Sequence, residues 1–194
     1  MHPLCAAKSR ALMSRKITII EGHPDPDPSR FGYALASAYE NGALAGGHEV
    51  RRIRVSELTF PVLRTRAEWQ SPPPPCIVQA QEAIRWADHL LLLFPLWLSG
   101  TPALLRAFFE QVLRPGFATQ NGRKLLGGRS AGIVITMGRP VIDAAWKSTE
   151  TGLLGYCGID PVREMHLCGV DGDVLHRTKW LAQLQELGFA GDLS

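Results

Sequence analysis

The run Leu90-Leu91-Leu92-Leu93-Phe94 constrains this chain more than any other feature. An unbroken apolar segment without polar alternation suits a strand covered on both faces, the situation of a central strand in a parallel sheet. Extended through Pro95 to Leu98, the run is still far shorter than the roughly 20 apolar residues a membrane helix requires.

Other strand-like segments alternate with segments of helical period on either side of it. KITII at 16–20 is β-branched. After the turn-rich GHPDPDPS, Phe31, Ala34, Leu35 and Ala38 recur at the spacing of one buried helical face. Ser29 is read as the N-cap of that helix, and Gly46-Gly47 as its stop. A second strand covers 48–55, and its three arginines suit a sheet edge. The segment 56–75, ending in four prolines, is read as a long connection. A helix is expected over 76–87. Thr101-Pro102 should start another, with the threonine hydroxyl capping it. A loop at 114–129 precedes a strand at 131–136. A helix over 142–154, a strand over 161–168 and a helix over 173–187, ended by Gly188, complete the chain.

Such alternation implies a doubly wound parallel sheet with helices on both faces, because crossovers are right-handed. Five strands favour the order 2-1-3-4-5 of a flavodoxin-like α/β three-layer sandwich. Residues 1–14 are read as a weakly ordered leader and 15–194 as one domain, a size that one core can serve. The formal charge of +3, with scattered basic residues, gives no argument for nucleic acid. Cys5, Cys76, Cys157 and Cys168 form no CxxC and have no histidine at ligand spacing. Reduced thiols and the lack of a secretory h-region point to a cytoplasmic protein without a membrane span. No metal site is expected, since Asp25, Asp27, Asp171 and Asp173 read as turn and cap residues.

In this strand order ligands sit beyond the strand C-termini, between the loops after strands 1 and 3. The first of these loops leads into a helix N-terminus, whose free N–H groups and dipole favour a phosphate. Ser29 could add a hydroxyl and Arg30 a charge, or they could be a plain cap and a solvated cation. His23 is either a donor to an anionic oxygen or a loop histidine bonded to backbone. The loop Pro95-Leu96-Trp97-Leu98 offers apolar area to a flat ring, unless it only packs on neighbours. Gly138, in Thr136-Met137-Gly138-Arg139, would let backbone approach a ring edge. There is no GxGxxG, no GxxxxGK[ST] and no GxSxG.

GHPDPDPSRFGYAL and FPLWLSGTPALLRAFFEQVLRPGFA together resemble the NAD(P)H quinone oxidoreductase family, and the likeness runs over nearly all the chain from residue 16. The resemblance implies a bound flavin, FAD or FMN, with NADH or NADPH as co-substrate. It implies two-electron reduction of quinones or similar aromatic acceptors in ping-pong order through flavin N5. By position, His23, Ser29 and Phe31 would lie at the flavin phosphates, and Arg30 could meet a diphosphate or an NADPH 2′-phosphate. Pro95, Leu96, Trp97 and Leu98 would meet the ring, and Thr136, Met137, Gly138 and Arg139 its polar edge. A homodimer is also implied, with Trp97, Phe117 and the helix 101–113 as interface parts. This chain departs from the family at Gly32, where asparagine is frequent. It also lacks the Tyr and His that follow the fourth strand in well-studied members, so none of its residues is assigned a certain catalytic role. Some relatives are ancillary regulatory subunits of potassium-efflux systems, which is the alternative function. A flavodoxin-type electron carrier fits poorly, because such carriers are strongly acidic.

Overall fold

The computed structural model describes residues 14–138, 148–172 and 174–193. Its elements are β1 (Lys16–Glu21), α1 (Phe31–Ala45), β2 (Glu49–Arg54), α2 (Arg66–Gln70), α3 (Pro75–Trp86), β3 (His89–Pro95) and α4 (Ala103–Val112). There follow β4 (Thr119–Gln120), β5 (Arg123–Lys124), β6 (Ser130–Met137), α5 (Thr149–Cys157), β7 (Val162–Cys168) and α6 (Val174–Ala190). The main sheet is parallel throughout, in the order β2-β1-β3-β6-β7. This is the expected 2-1-3-4-5 arrangement, with the arginine-bearing β2 at an edge.

The apolar run behaves as its composition requires. Leu90, Leu92 and Phe94 point into one core layer with Ile77 and Ile84 of α3 and Leu105 and Phe108 of α4. Leu91 and Leu93 point into the other, with Leu35 and Tyr39 of α1 and Leu184 of α6. Each face therefore buries alternate residues of one strand, and neither face needs a polar position.

Several expectations are corrected. Gly188 does not end the last helix. It lies inside α6, buried, where a Cβ would collide with the carbonyl of Tyr39 in α1. The glycine is there for close helix packing. Thr101 does not cap α4: Pro102 holds the N-cap position, and the Thr101 hydroxyl donates instead to Glu150. The stretch 56–75 contains α2, capped by a reciprocal Thr65–Glu68 box. That T-x-x-E signature was available in the sequence. Buried Arg114 fastens this stretch, donating to the carbonyls of Glu68 and Ser71 and to Gln111. The loop 114–129 carries the small antiparallel pair β4–β5. The helix expected over 142–154 is α5, which runs Thr149–Cys157; residues 139–147 lie outside the described residues, as do residues 1–13 of the 1–14 leader.

Candidate functional site

Loop 1, between β1 and α1, is built by short-range polar contacts. The Asp27 N–H donates to Asp25 Oδ1 and the Ser29 N–H to Asp27 Oδ1, so the two aspartates act as turn residues. Ser29 is not the N-cap. Arg30 occupies that position with an extended backbone, and no side chain caps the helix. The Tyr33 N–H donates to the Arg30 carbonyl at 3.0 Å, and the N–H groups of Phe31 and Gly32 before it keep the orphan character of a helix start, with the positive end of the dipole behind them. Arg30 is not a free charge: its guanidinium lies 2.6 Å from Asp25. That pair is exposed and adds little to stability.

His23 receives the Asp25 N–H at Nδ1, at 3.1 Å. The same Nδ1 lies 3.2 Å from the Asp25 carbonyl oxygen, to which it donates in the other tautomer. Partial burial lowers the His23 pKa, although the Asp25 backbone and carboxylate oppose the shift. The ring is therefore neutral near pH 7. Tyr33, one turn into α1, donates to the Asp25 carbonyl at 2.7 Å and meets the Ser56 hydroxyl at 2.9 Å. It ties loop 1 to the segment after β2. Below it, buried Glu21 is held by Arg52 and Arg54 of β2.

Two further loops face loop 1. The Leu96 N–H donates to the Thr136 carbonyl at 2.8 Å, which joins the ends of β3 and β6. Trp97 and Gly100 then exchange both backbone bonds at 2.9 Å, with Leu98 and Ser99 in left-handed conformation between them. This is the geometry of a two-residue hairpin turn that normally favours Asn and Gly.

Together these loops enclose a cavity of about 580 Å³ at the C-terminal edge of the sheet, within the range of small-molecule and cofactor sites. His23, Ser29, Arg30 and Phe31 line it from loop 1 and α1; Pro95, Leu96 and Trp97 from the β3 loop; Thr136, Met137 and Gly138 from β6. Leu98 is not in this wall. It is fully exposed at the hairpin tip and lines a neighbouring cleft. Arg139 lies outside the described residues. Gly32, Val170, Asp171 and Arg177 also line the cavity and were missed. Gly32 carried a signal, since it opens a helix. The other three lie after β7, and only folding brings them to loop 1. Arg177 lies over the Phe31 ring at 4.4 Å and has no ion pair among the described residues. Where Gly138 would carry a Cβ, the structure holds the Asp171 carboxylate, so the close approach there is by a side chain of the same protein.

Among the described residues, no group of His, Cys, Asp or Glu is placed to hold a metal ion, and no helix is long and apolar enough to cross a membrane.

A five-stranded parallel sheet with this strand order, and a cavity at its switch point, define a doubly wound α/β fold of flavodoxin-like topology. The chain belongs to the flavodoxin-like fold family, whose profile matches residues 15–187. It is 33% identical over 167 residues to an uncharacterized NAD(P)H oxidoreductase of Haemophilus influenzae, covering 78% of this chain and 82% of that protein. It is 31% identical over 112 residues to the FMN-dependent NADH:quinone oxidoreductase 3 of Pseudomonas aeruginosa, covering 54% and 53%. Among solved structures, the NAD(P)H:quinone oxidoreductase from Methanothermobacter marburgensis superposes with a TM-score of 0.71 at 22% identity, over 91% of this chain and 96% of that one.

Proposed function

We propose that the protein is a flavin-dependent NAD(P)H oxidoreductase that reduces quinone-like aromatic acceptors by two electrons. The observation that carries this reading is the pairing, in one cavity, of an uncapped helix start with an apolar wall. The residues fit a flavin. The phosphate end would meet the N–H groups of Phe31 and Gly32 at the start of α1, the Ser29 hydroxyl and the His23 ring. Arg177 would add a positive charge from the opposite side. At Gly32 a Cβ would meet nothing within 4 Å, so that side of the cradle is open to a ligand. Pro95, Leu96, Trp97 and Met137 would contact the ring, and the backbone of Thr136 to Gly138 would face its polar rim.

When bound, a flavin supplies the hydride relay between nicotinamide and acceptor. In balance, NAD(P)H, a proton and a quinone give NAD(P)⁺ and a hydroquinone. The chain's own contribution is to bind, orient and shield. Its relatives named as NAD(P)H and quinone oxidoreductases support the same reading.

The purified protein, mixed with FMN or FAD and desalted, is expected to retain one of them, seen in its visible absorbance. It should then oxidise NADH or NADPH with a quinone. Retention of neither flavin overturns the reading.

Tyr33→Phe removes the hydroxyl that anchors loop 1 without emptying the ring. We expect it to weaken FMN binding about fivefold, the worth of one hydrogen bond. Riboflavin, which lacks the phosphate, should bind both proteins equally in a fluorescence titration. An equal loss for both ligands would show that the tyrosine supports the fold and not the phosphate loop.

A further inference from the structure

A second cleft, of about 690 Å³, adjoins the first and shares Trp97 with it. It lies between the N-terminal ends of α4 and α5. Leu98, Pro102 and Ala103 give it apolar walls, and Glu150 forms part of its lining. Glu150 is an unusual wall residue. It is 1% exposed, and both hydroxyls that reach it, Thr101 at 3.2 Å and Thr149 at 3.1 Å, donate to Oε1. Among the described residues it has no ion pair. The nearest cation of the cleft, Arg106, stands half exposed at the rim and faces Glu110 at 3.7 Å. A helix start favours an acidic residue, which accounts for a glutamate in the first turn of α5. It does not account for burial of that glutamate beside an apolar cleft, with Oε2 left without a hydrogen bond among the described residues.

The geometry points to Glu150 as the residue that sets the charge class of the electron acceptor. This inference rests on the function proposed above. The acceptor's ring would reach over Trp97 to the mouth of the first cavity, and its substituent would enter the second cleft. A buried carboxylate in low-dielectric surroundings projects a strong field. It rewards a substituent that is cationic or carries an N–H or O–H donor for Oε2. It repels sulfonates and carboxylates. The acceptor class is thus neutral or cationic aromatics, with anionic ones excluded.

The test uses the flavin-loaded enzyme and two acceptors, menadione and a naphthoquinone sulfonate. The wild type is expected to favour the neutral quinone by about tenfold or more in kcat/KM, mainly through KM. Glu150→Gln keeps an oxygen for Thr101 and Thr149 and loses the charge, so the preference should shrink about fivefold. A merely structural glutamate would change thermal stability and leave the ratio between acceptors alone. If Glu150→Gln does not fold, Ala103→Lys on the exposed lip of the same cleft serves instead, and it should lower KM for the sulfonate. Turnover of both acceptors with equal preference, or an unchanged ratio in the variants, overturns this inference while leaving the proposed function standing. Absence of turnover with either acceptor in a flavin-loaded enzyme overturns both.

Discussion

Replacing Gly188 with alanine is expected to destabilise the protein by about 3 kcal/mol or more, at the upper end of what overpacking costs. The added methyl would fall inside van der Waals contact of the Tyr39 carbonyl, carbon and Cα. These are backbone atoms of a buried helix, so no rotamer change can relieve the clash. Gly42 faces the backbone of Gln185 in the same way from the other side of the contact. The glycines let α1 and α6 approach closely, and α1 is the helix whose first turn lines the proposed cofactor cavity. The variant should therefore lose flavin affinity as well as stability. Gly152→Ala is the control. It lies exposed in α5 with nothing within 4 Å of a Cβ, and helix propensity alone should stabilise it by up to ~1 kcal/mol. Urea unfolding of the two variants checks both signs. Equal effects would mean that the α1–α6 contact relaxes freely.

Lowering the pH from neutral to about 4 should remove about 3 kcal/mol of stability through His89 alone. This side chain opens β3, is fully buried, and has its pKa pushed down from 6.5 to about 4, first by desolvation, with Arg15 and His48 acting in the same direction and Asp192 opposing. Its Nδ1 lies 2.8 Å from the Ser130 hydroxyl, which also receives Arg15, and its Nε2 has no partner among the described residues. The imidazole is therefore held neutral. Below pH 6.5 the unfolded chain takes up a proton that the folded chain refuses. The stabilisation is complete above that value and is lost as pH falls toward the folded pKa. Unfolding free energies measured at pH 7 and pH 4.5 should differ more for the wild type than for His89→Gln. Parallel pH profiles for the two proteins would remove His89 as the cause.

The order of strands was readable because each segment declares itself locally. An all-apolar run marks β3 as central, arginines mark β2 as an edge, and helical spacing marks α1. Ten of the twelve residues proposed for the site line one cavity, because a strand end and the loop after it are adjacent in sequence as well as in space. The misreadings have a common physical origin. Gly188 looked like a helix stop because, judged locally, glycine is a poor helix former; its close helix–helix role depends on α1, some 150 residues earlier. Ser29 and Thr101 looked like caps by type, but Ser29 follows an aspartate that turns its own N–H inward, and Thr101 finds a buried carboxylate across the cleft.

The sequence by itself determined the layer architecture, the edge and the loops that meet at the sheet's C-terminal rim, since hydrophobic period and turn chemistry act over a few residues. Tertiary structure alone decided that Arg177 and Asp171 line the same cavity as loop 1, that Glu150 is buried beside an apolar cleft, and that α1 and α6 touch through glycine. Those outcomes depend on segments far apart in the chain, and their energies exist only once the sheet has brought the segments together.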